Sequence, residues 1–269
     1  MSRINVYYNA SFSSSPGGSL LLDNISSTAV YAWSFGRYLK GDYVGQPVVR
    51  LRRESDNVEL DFTVDELADG TAETWCGSGD AKSTIWYDQT GNGNHIYQNN
   101  RNYQYKMIIG GVMWTDSNGY PASQGNILGS IRGYIIPNTI LTGTDGAVFT
   151  AFKSTTAIGI GWRVMGGHGG FGNNYILARA AISGGTTIGD VYANGNLETT
   201  NLVNVDLIEC IVNGIGVDWT SNSIFTSNAV MFNYMNVETQ LNEAIVFNTF
   251  TDSERSQIET DQNTFYAYY

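Results

Sequence analysis

Apolar and polar residues alternate with a period of two over much of this chain. Between Val48 and Arg53, Val49 and Leu51 fall on one side and Arg50 and Arg52 on the other. From Val58 to Phe62 the pattern repeats, which predicts Val58, Leu60 and Phe62 inward and Glu59 and Asp61 outward. The link between them, Glu54-Ser55-Asp56-Asn57, is a polar turn. Two period-2 runs around such a turn predict an antiparallel hairpin. Arg50 and Arg52 would face Glu59 and Asp61 across it, in exposed pairs worth only ~0.2–1 kcal/mol each. Thr84 to Tyr87 is a short β-rich run that stops at the turn-dense Asp88-Gln89-Thr90-Gly91-Asn92-Gly93-Asn94. Short strands are then predicted over 106–109, 133–136, 148–152, 162–165, 175–178, 188–192, 207–212, 215–219, 229–233 and 241–247. Turns such as Asn173-Asn174, Gly184-Gly185, Asn194-Gly195 and Asn213-Gly214 punctuate them, and Val212-Asn213-Gly214-Ile215 reads as the sharpest hairpin, because Asn-Gly tolerates the positive φ of a type I′ turn.

Two stretches carry helical spacing instead. Thr28 to Lys40 places Val30, Trp33 and Arg37 on one face, with Gly41 after its end, and predicts a short N-terminal helix. Near the C-terminus, Thr251-Asp252-Ser253-Glu254 reads as a capping box. Ile258, Gln262, Phe265, Tyr266 and Tyr269 then follow on one helical face. The expected architecture is mainly β, an antiparallel sandwich or jelly roll with two helices. Residues 1–28, with the Ser/Gly-rich stretch 9–19, read as an extended lead-in, and 29–269 as one domain.

Composition sharpens the β reading. Charged residues make up 14 % of the 269, well under the ~25 % usual for soluble domains. The 31 glycines and 17 tyrosines, against 4 prolines, suit strands joined by tight turns. The net charge of -11 repels phosphate backbones and anionic membranes, so neither nucleic acid nor membrane is an expected partner. No apolar run approaches the ~20 residues of a spanning helix. Met1-Ser2-Arg3-Ile4-Asn5 lacks the charged-then-apolar pattern of a secretory signal, which predicts a chain made and kept in a cytoplasm. Cys76 and Cys210 are accordingly expected as free thiols.

Two blocks bracket the chain. The first holds Tyr31-Ala32-Trp33-Ser34, Arg37-Tyr38-Leu39, Val48 to Arg53, Ser55-Asp56-Asn57 and Trp86-Tyr87-Asp88-Gln89-Thr90-Gly91-Asn92-Gly93-Asn94-His95. It resembles the start of the catalytic domain of arabinofuranosidase B, and the same opening in a group of phage virion proteins. The second, Glu243-Ala244-Ile245-Val246-Phe247 followed by Ser253 to Glu259, resembles the last strand and helix of laminin-G/concanavalin-A-like domains. The resemblance implies that fold. It also implies either a structural component of a phage particle (decoration, head fibre or tail) or a glycosidase of arabinofuranosides. The expected location is the virion, after synthesis in the host cytoplasm. The expected partners are other virion proteins, further copies of the chain, and a host polysaccharide.

Candidate chemistry is sparse. A glycosidase needs two carboxyls, ~5–5.5 Å apart in a retaining enzyme. Asp190, Asp206, Glu209, Asp218 and Glu243 are the acids on predicted strands, with Glu209 and Asp218 flanking the Asn213-Gly214 turn. Gly166 to Asn173 has the glycine richness of an arabinofuranosidase catalytic loop but no acid. No catalytic residue is assigned. Asp88 can organise the turn after it, or join Asn92 and Asn94 as oxygen ligands of a calcium ion, the one cofactor considered. His95 and His168, with two scattered cysteines, have no zinc-ligand spacing. Trp114, Tyr120 and Trp162, with Tyr134 and Phe171, are the aromatics that a sugar could stack on.

Overall fold

The computed structural model describes residues 20–124, 133–136, 141, 144–154, 163–166, 174–178, 186–187, 190–198, 209–217, 230–233 and 239–268. The expected 9–19 loop, Trp162, His168, Phe171, Asp206 and Asp218 lie outside the described residues.

The chain is an antiparallel β-sandwich with few helices. The strands of the first half are β1 (Ala29–Ser34), β2 (Val49–Arg53), β3 (Glu59–Phe62), β4 (Ala81–Trp86), β5 (Ile96–Tyr97), β6 (Tyr105–Ile109), β7 (Val112–Met113), β8 (Ser123–Gln124) and β9 (Tyr134–Ile135). Those of the second half are β10 (Gly146–Ser154), β11 (Arg163–Gly166), β12 (Asn174–Ala178), β13 (Thr186–Thr187), β14 (Asp190–Ala193), β15 (Asn196–Glu198), β16 (Glu209–Val217), β17 (Val230–Asn233) and β18 (Thr239–Phe247). The helices are α1 (Val64–Ala68), α2 (Thr71–Cys76) and the C-terminal α3 (Arg255–Tyr266).

One layer runs β1–β18–β10–β16–β14–β15. The other is built on β2, which pairs with β3 and β4. Beyond β4, β6 continues the layer at one end and β5, β9 and β17 at the other. β8 joins the layers by pairing with both β6 and β18.

Aromatics fill the space between them. Tyr31 and Trp33 from β1 stack at 5.1 Å, and Phe35 stacks on Trp86 of β4 at 4.0 Å. Val49, Leu51, Tyr105 and Tyr134 close the same cluster. On the far face of the first layer, Ala32, Phe149, Ile245 and Phe247 pack against Ile258 of α3. β1 is therefore covered on both sides, and every residue in it is buried.

This double cover corrects the expected N-terminal helix. Residues 29–34 form a strand, because a strand buried on both faces shows no alternation to identify it. Three further expectations change. Asn213-Gly214 is not a turn: β16 runs straight through it, with Asn213 opposite Phe149 and Gly214 opposite Val148. Ladder bonds on both sides, to β10 and β14, outweigh the local preference. Val58 and Leu60 are exposed, each at 46 %, because among the described residues β3 is an edge strand with a partner, β2, on one side. The capping box at Thr251 does not form: its side chain caps nothing. Glu254 reaches instead to the Ser26 N–H (2.5 Å) and to Ser27 N and Oγ, pinning the segment before β1 to the base of α3.

Other readings stand. β2 and β3 form the expected hairpin, with Arg50 opposite Asp61 and Arg52 opposite Glu59. Asn194-Gly195 makes a two-residue turn between β14 and β15, both residues at positive φ (48° and 77°). The β6–β7 turn needs glycine outright: at Gly111, φ is +82° and a Cβ would sit 2.4 Å from the Gly77 carbonyl. Cys76 is a free, buried thiol, its Sγ donating to the Gly79 carbonyl at 3.4 Å. No helix among the described residues is long and apolar enough to cross a membrane.

Candidate functional site: a polar groove over strands β2, β4 and β5

The site begins with a bulge. β4 pairs with β6 through Ser83 and with β5 from Ile85 onward. Against β2 its register slips: Arg50 faces Ile85 but Leu51 faces Ser83, so Thr84 is the extra residue. A bulge re-aims side chains, and here both Thr84 and Ile85 line a groove of about 520 Å³ on the outer face of the layer. Thr84 Oγ1 donates to the Arg50 carbonyl at 3.3 Å, and its own carbonyl accepts the Gln98 N–H at 2.8 Å.

Period 2 puts β2's arginines on this outer face. Arg50 forks onto Asp61, Nε to Oδ1 at 2.6 Å and Nη2 to Oδ2 at 2.8 Å. The guanidinium holds the Asp61 carboxyl below the usual carboxylate range. Arg52 is 4 % exposed. Its Nε donates to Gln104 Oε1 and its Nη1 to Asn57 Oδ1, both at 2.8 Å. Gln104 donates in turn to the Gln98 carbonyl (2.8 Å), and the Gln98 amide to the Gly133 carbonyl (2.7 Å). Arg52, Gln104 and Gln98 are thus locked as one rigid wall.

The same face carries a row of cross-strand neighbours: Glu59, Arg52, Lys82, Lys106 and Gln124. Like charges directly opposite are destabilising. Two acids flanking the row offset them: Glu54 lies 2.7 Å from Lys82 and 3.7 Å from Arg52, and Asp80 lies 2.6 Å from Lys106.

His95 and Tyr97 close the groove on the β5 side, with Asn99 and Arg101 in the loop beyond. His95 Nδ1 accepts the Asp88 N–H at 3.0 Å, so in the neutral ring Nε2 carries the proton. Burial lowers the His95 pKa, only partly opposed by the nearby Asp88 charge, so the neutral form prevails at pH 7. Arg101 is exposed and has no ion-pair partner among the described residues.

Asp88 is wholly buried and its oxygens accept four hydrogen bonds: from Ala32 N (3.0 Å), Thr90 N (3.2 Å), Thr90 Oγ1 (2.6 Å) and Asn94 N (3.1 Å). Asn94 donates to the Val30 carbonyl at 3.0 Å. Gln89 accepts from Leu39 N (2.8 Å) and donates to the Ser34 and Arg37 carbonyls, both at 3.1 Å. The 88–95 segment therefore stitches β1 to β4, and the carboxylate of Asp88 faces N–H and O–H donors throughout. Asp88, Asn92 and Asn94 do share one loop, but among the described residues no three of His, Cys, Asp or Glu converge as metal ligands.

Of the carboxylates named from sequence, the two whose side chains are described, Glu243 and Asp190, are not brought together. Glu243 is wholly buried under α3. Arg37 meets it through Nε (2.7 Å) and Nη2 (2.8 Å), and Gln262 and Tyr266 donate to it at 3.1 Å. Arg37 also bonds Asp261 and lies 4.8 Å over the Phe265 ring. Asp190 is exposed on β14. Glu209 lies on β16, which continues past residue 214, so the hairpin expected at Asn213-Gly214 is not formed. Of the aromatics, Trp114 is half-buried with its indole N–H enclosed, and Tyr120 packs on Phe265 at 4.4 Å. Tyr134 is buried in the core. The aromatic in the groove is Tyr97, which the sequence reading did not single out.

No family model and no curated protein matches the chain. Among solved structures it is similar to a GH54 α-L-arabinofuranosidase soaked with a cyclic sulfate inhibitor, with a TM-score of 0.45. It is also similar to an arabinofuranosidase complexed with arabinofuranosyl-α-1,2-xylobiose, with a TM-score of 0.44. Identity is 18 % in both cases, over 87 % of this chain. The chain spans 62 % of the length of these neighbours. At that identity and overlap the likeness assigns no activity to this chain.

Proposed function

We propose that the chain is a non-enzymatic, laminin-G/concanavalin-A-like structural domain of a bacteriophage particle, and that it holds a host surface glycan in the groove over β2, β4 and β5. The observation that carries the binding part is the groove's lining. One aromatic, Tyr97, sits among guanidinium, imidazole and amide groups, with Glu59 as the single carboxylate. Concave sites with an aromatic wall and a few fixed polar groups suit small-molecule recognition. Glycoside hydrolysis asks for two carboxyls across the scissile bond. The particle assignment rests on the resemblance of the 31–95 block to virion proteins.

Saturable binding of the purified chain to host surface polysaccharide, weakened by Tyr97→Ala, is the expected result. A flat response for the wild-type protein would sink the glycan reading. Antibody labelling of particles by electron microscopy tests the location, and regular decoration of heads or tails is expected. The same block's resemblance to arabinofuranosidase B favours a second reading, a hydrolase of arabinofuranosides. Rapid turnover of a chromogenic arabinofuranoside, lost on removing a carboxylate, would put that reading first.

A further inference from the structure

We infer that the groove is selective for a saccharide carrying a carboxylate, a uronic-acid unit, over its neutral counterpart; this rests on the reading of the groove as a glycan site. The argument is a balance of donors and acceptors. Arg50 spends Nε and Nη2 on Asp61, and Nη1 has no partner among the described residues. His95 spends Nδ1 on the Asp88 N–H, which leaves Nε2–H as the ring's donor. Arg101 offers a whole guanidinium fork. Two of the acceptors are committed elsewhere: Gln104 Oε1 takes Arg52, and Gln98 Oε1 takes the Asn100 N–H at 2.9 Å, which leaves Glu59 at the β3 rim and the Asn99 amide against the larger set of donors. A sugar hydroxyl both donates and accepts, whereas a carboxylate only accepts. A donor-rich lining therefore fits the carboxylate better.

Charge agrees. The chain as a whole, at -11, repels anions. Yet Arg50, Arg52, Lys82, Arg101 and Lys106, out of 14 lysines and arginines, gather on or beside this one face. Charges more than a Debye length away, ~8 Å at physiological salt, are largely screened. What an anion meets inside the groove is the local set. Arg101 is the member whose charge no neighbour offsets, and it presents the planar fork that pairs with carboxylates.

The test compares galacturonate and glucuronate oligomers with the same oligomers after reduction of their carboxyl groups, using labelled sugars and the intact chain. The acidic form is expected to bind about tenfold more tightly, the magnitude of one charge-assisted hydrogen bond, and to weaken as salt rises. Arg101→Gln, at an exposed loop position that leaves the core untouched, should remove most of that tenfold and weaken the reduced oligomer by a much smaller factor. Arg101→Lys should restore part of it. Equal binding of acidic and reduced forms would overturn the inference and leave the glycan site standing. Binding of neither form would overturn both.

Discussion

Asp88 and Glu243 are both wholly buried carboxylates, each at the centre of a hydrogen-bond cluster, and they are held in opposite ways. Asp88 is met by three backbone N–H groups and one hydroxyl. Glu243 is met by side chains only: the Arg37 fork, the Gln262 amide and the Tyr266 phenol. Side chains can be exchanged as a set, but backbone amides cannot be mutated away. The first arrangement makes Asp88 irreplaceable for the fold. The second makes Glu243 replaceable in company. Neither carboxylate is left free for chemistry, which is why the groove, not the buried acids, is the candidate site.

The largest effect should follow Asp88→Ala. It strands several buried donors, each costing ~1–3 kcal/mol. We expect a loss of at least ~4 kcal/mol, read from urea unfolding, or no folded protein at all. Asp88→Asn, which turns an amide N–H toward donors, should cost ~2–3 kcal/mol. Glu243→Gln should cost ~3 kcal/mol, because it leaves the buried Arg37 charge with the part-exposed Asp261 as its remaining ionic partner. Arg37→Met combined with Glu243→Leu should recover much of that loss, since a buried ion pair is often replaceable by apolar residues of similar volume. If the double variant is no better than Glu243→Gln, the contrast between the two hubs fails.

A smaller effect separates His95, which accepts the Asp88 N–H, from Glu254 at the base of α3 by pH. Burial holds the His95 pKa below its ordinary value, so the unfolded chain binds a proton in a window where the folded chain does not. Stability linked to His95 is therefore intact above the unfolded value, ~6.5, and declines as pH falls below it. Glu254 works at lower pH. Burial pushes its carboxyl up, but bonds from Ser27 and Ser26 outweigh this and hold it down, so its contribution is lost only as pH drops through the acid range. A urea series from pH 7.5 to 5 should show a slope that His95→Gln flattens and Glu254→Gln leaves alone. Smallest of all, Leu60→Thr on the exposed edge should stay within ~0.5 kcal/mol of wild type.

What could be read from sequence was whatever shows a period or a local motif. The β2–β3 hairpin and its Arg50–Asp61 pairing were legible because one face is wet. β1 was not, because α3 covers the face that would have carried polar residues, and Val30, Trp33 and Arg37 then mimic helical spacing. The two Thr-x-x-Glu motifs make the point from the other side. At Thr63 the box forms: Thr63 caps Glu66 N and Glu66 returns to Thr63 N, starting α1, which the sequence reading passed over. At Thr251 the same letters form no box, because Glu254 has the Ser26 and Ser27 amides within reach. The groove was invisible because it draws on β2 to β5, the loop after β5 and a bulge at Thr84, and no local signal announces a bulge.

The pairing of β1 with β18 also governs when this chain can fold. Ala29 lies opposite Phe247 and Ser34 opposite Glu243. A ribosome adding about 5–20 residues each second delivers the partner strand roughly ten to forty seconds after β1 has emerged. Throughout that interval β1 has Trp86 and the 88–95 segment to pack on and bond to, but its β18 edge is unpaired and its outer face lacks Ile258 of α3. The first layer therefore closes only once β18 and α3 are made, and a product stalled before them should be a target for proteolysis.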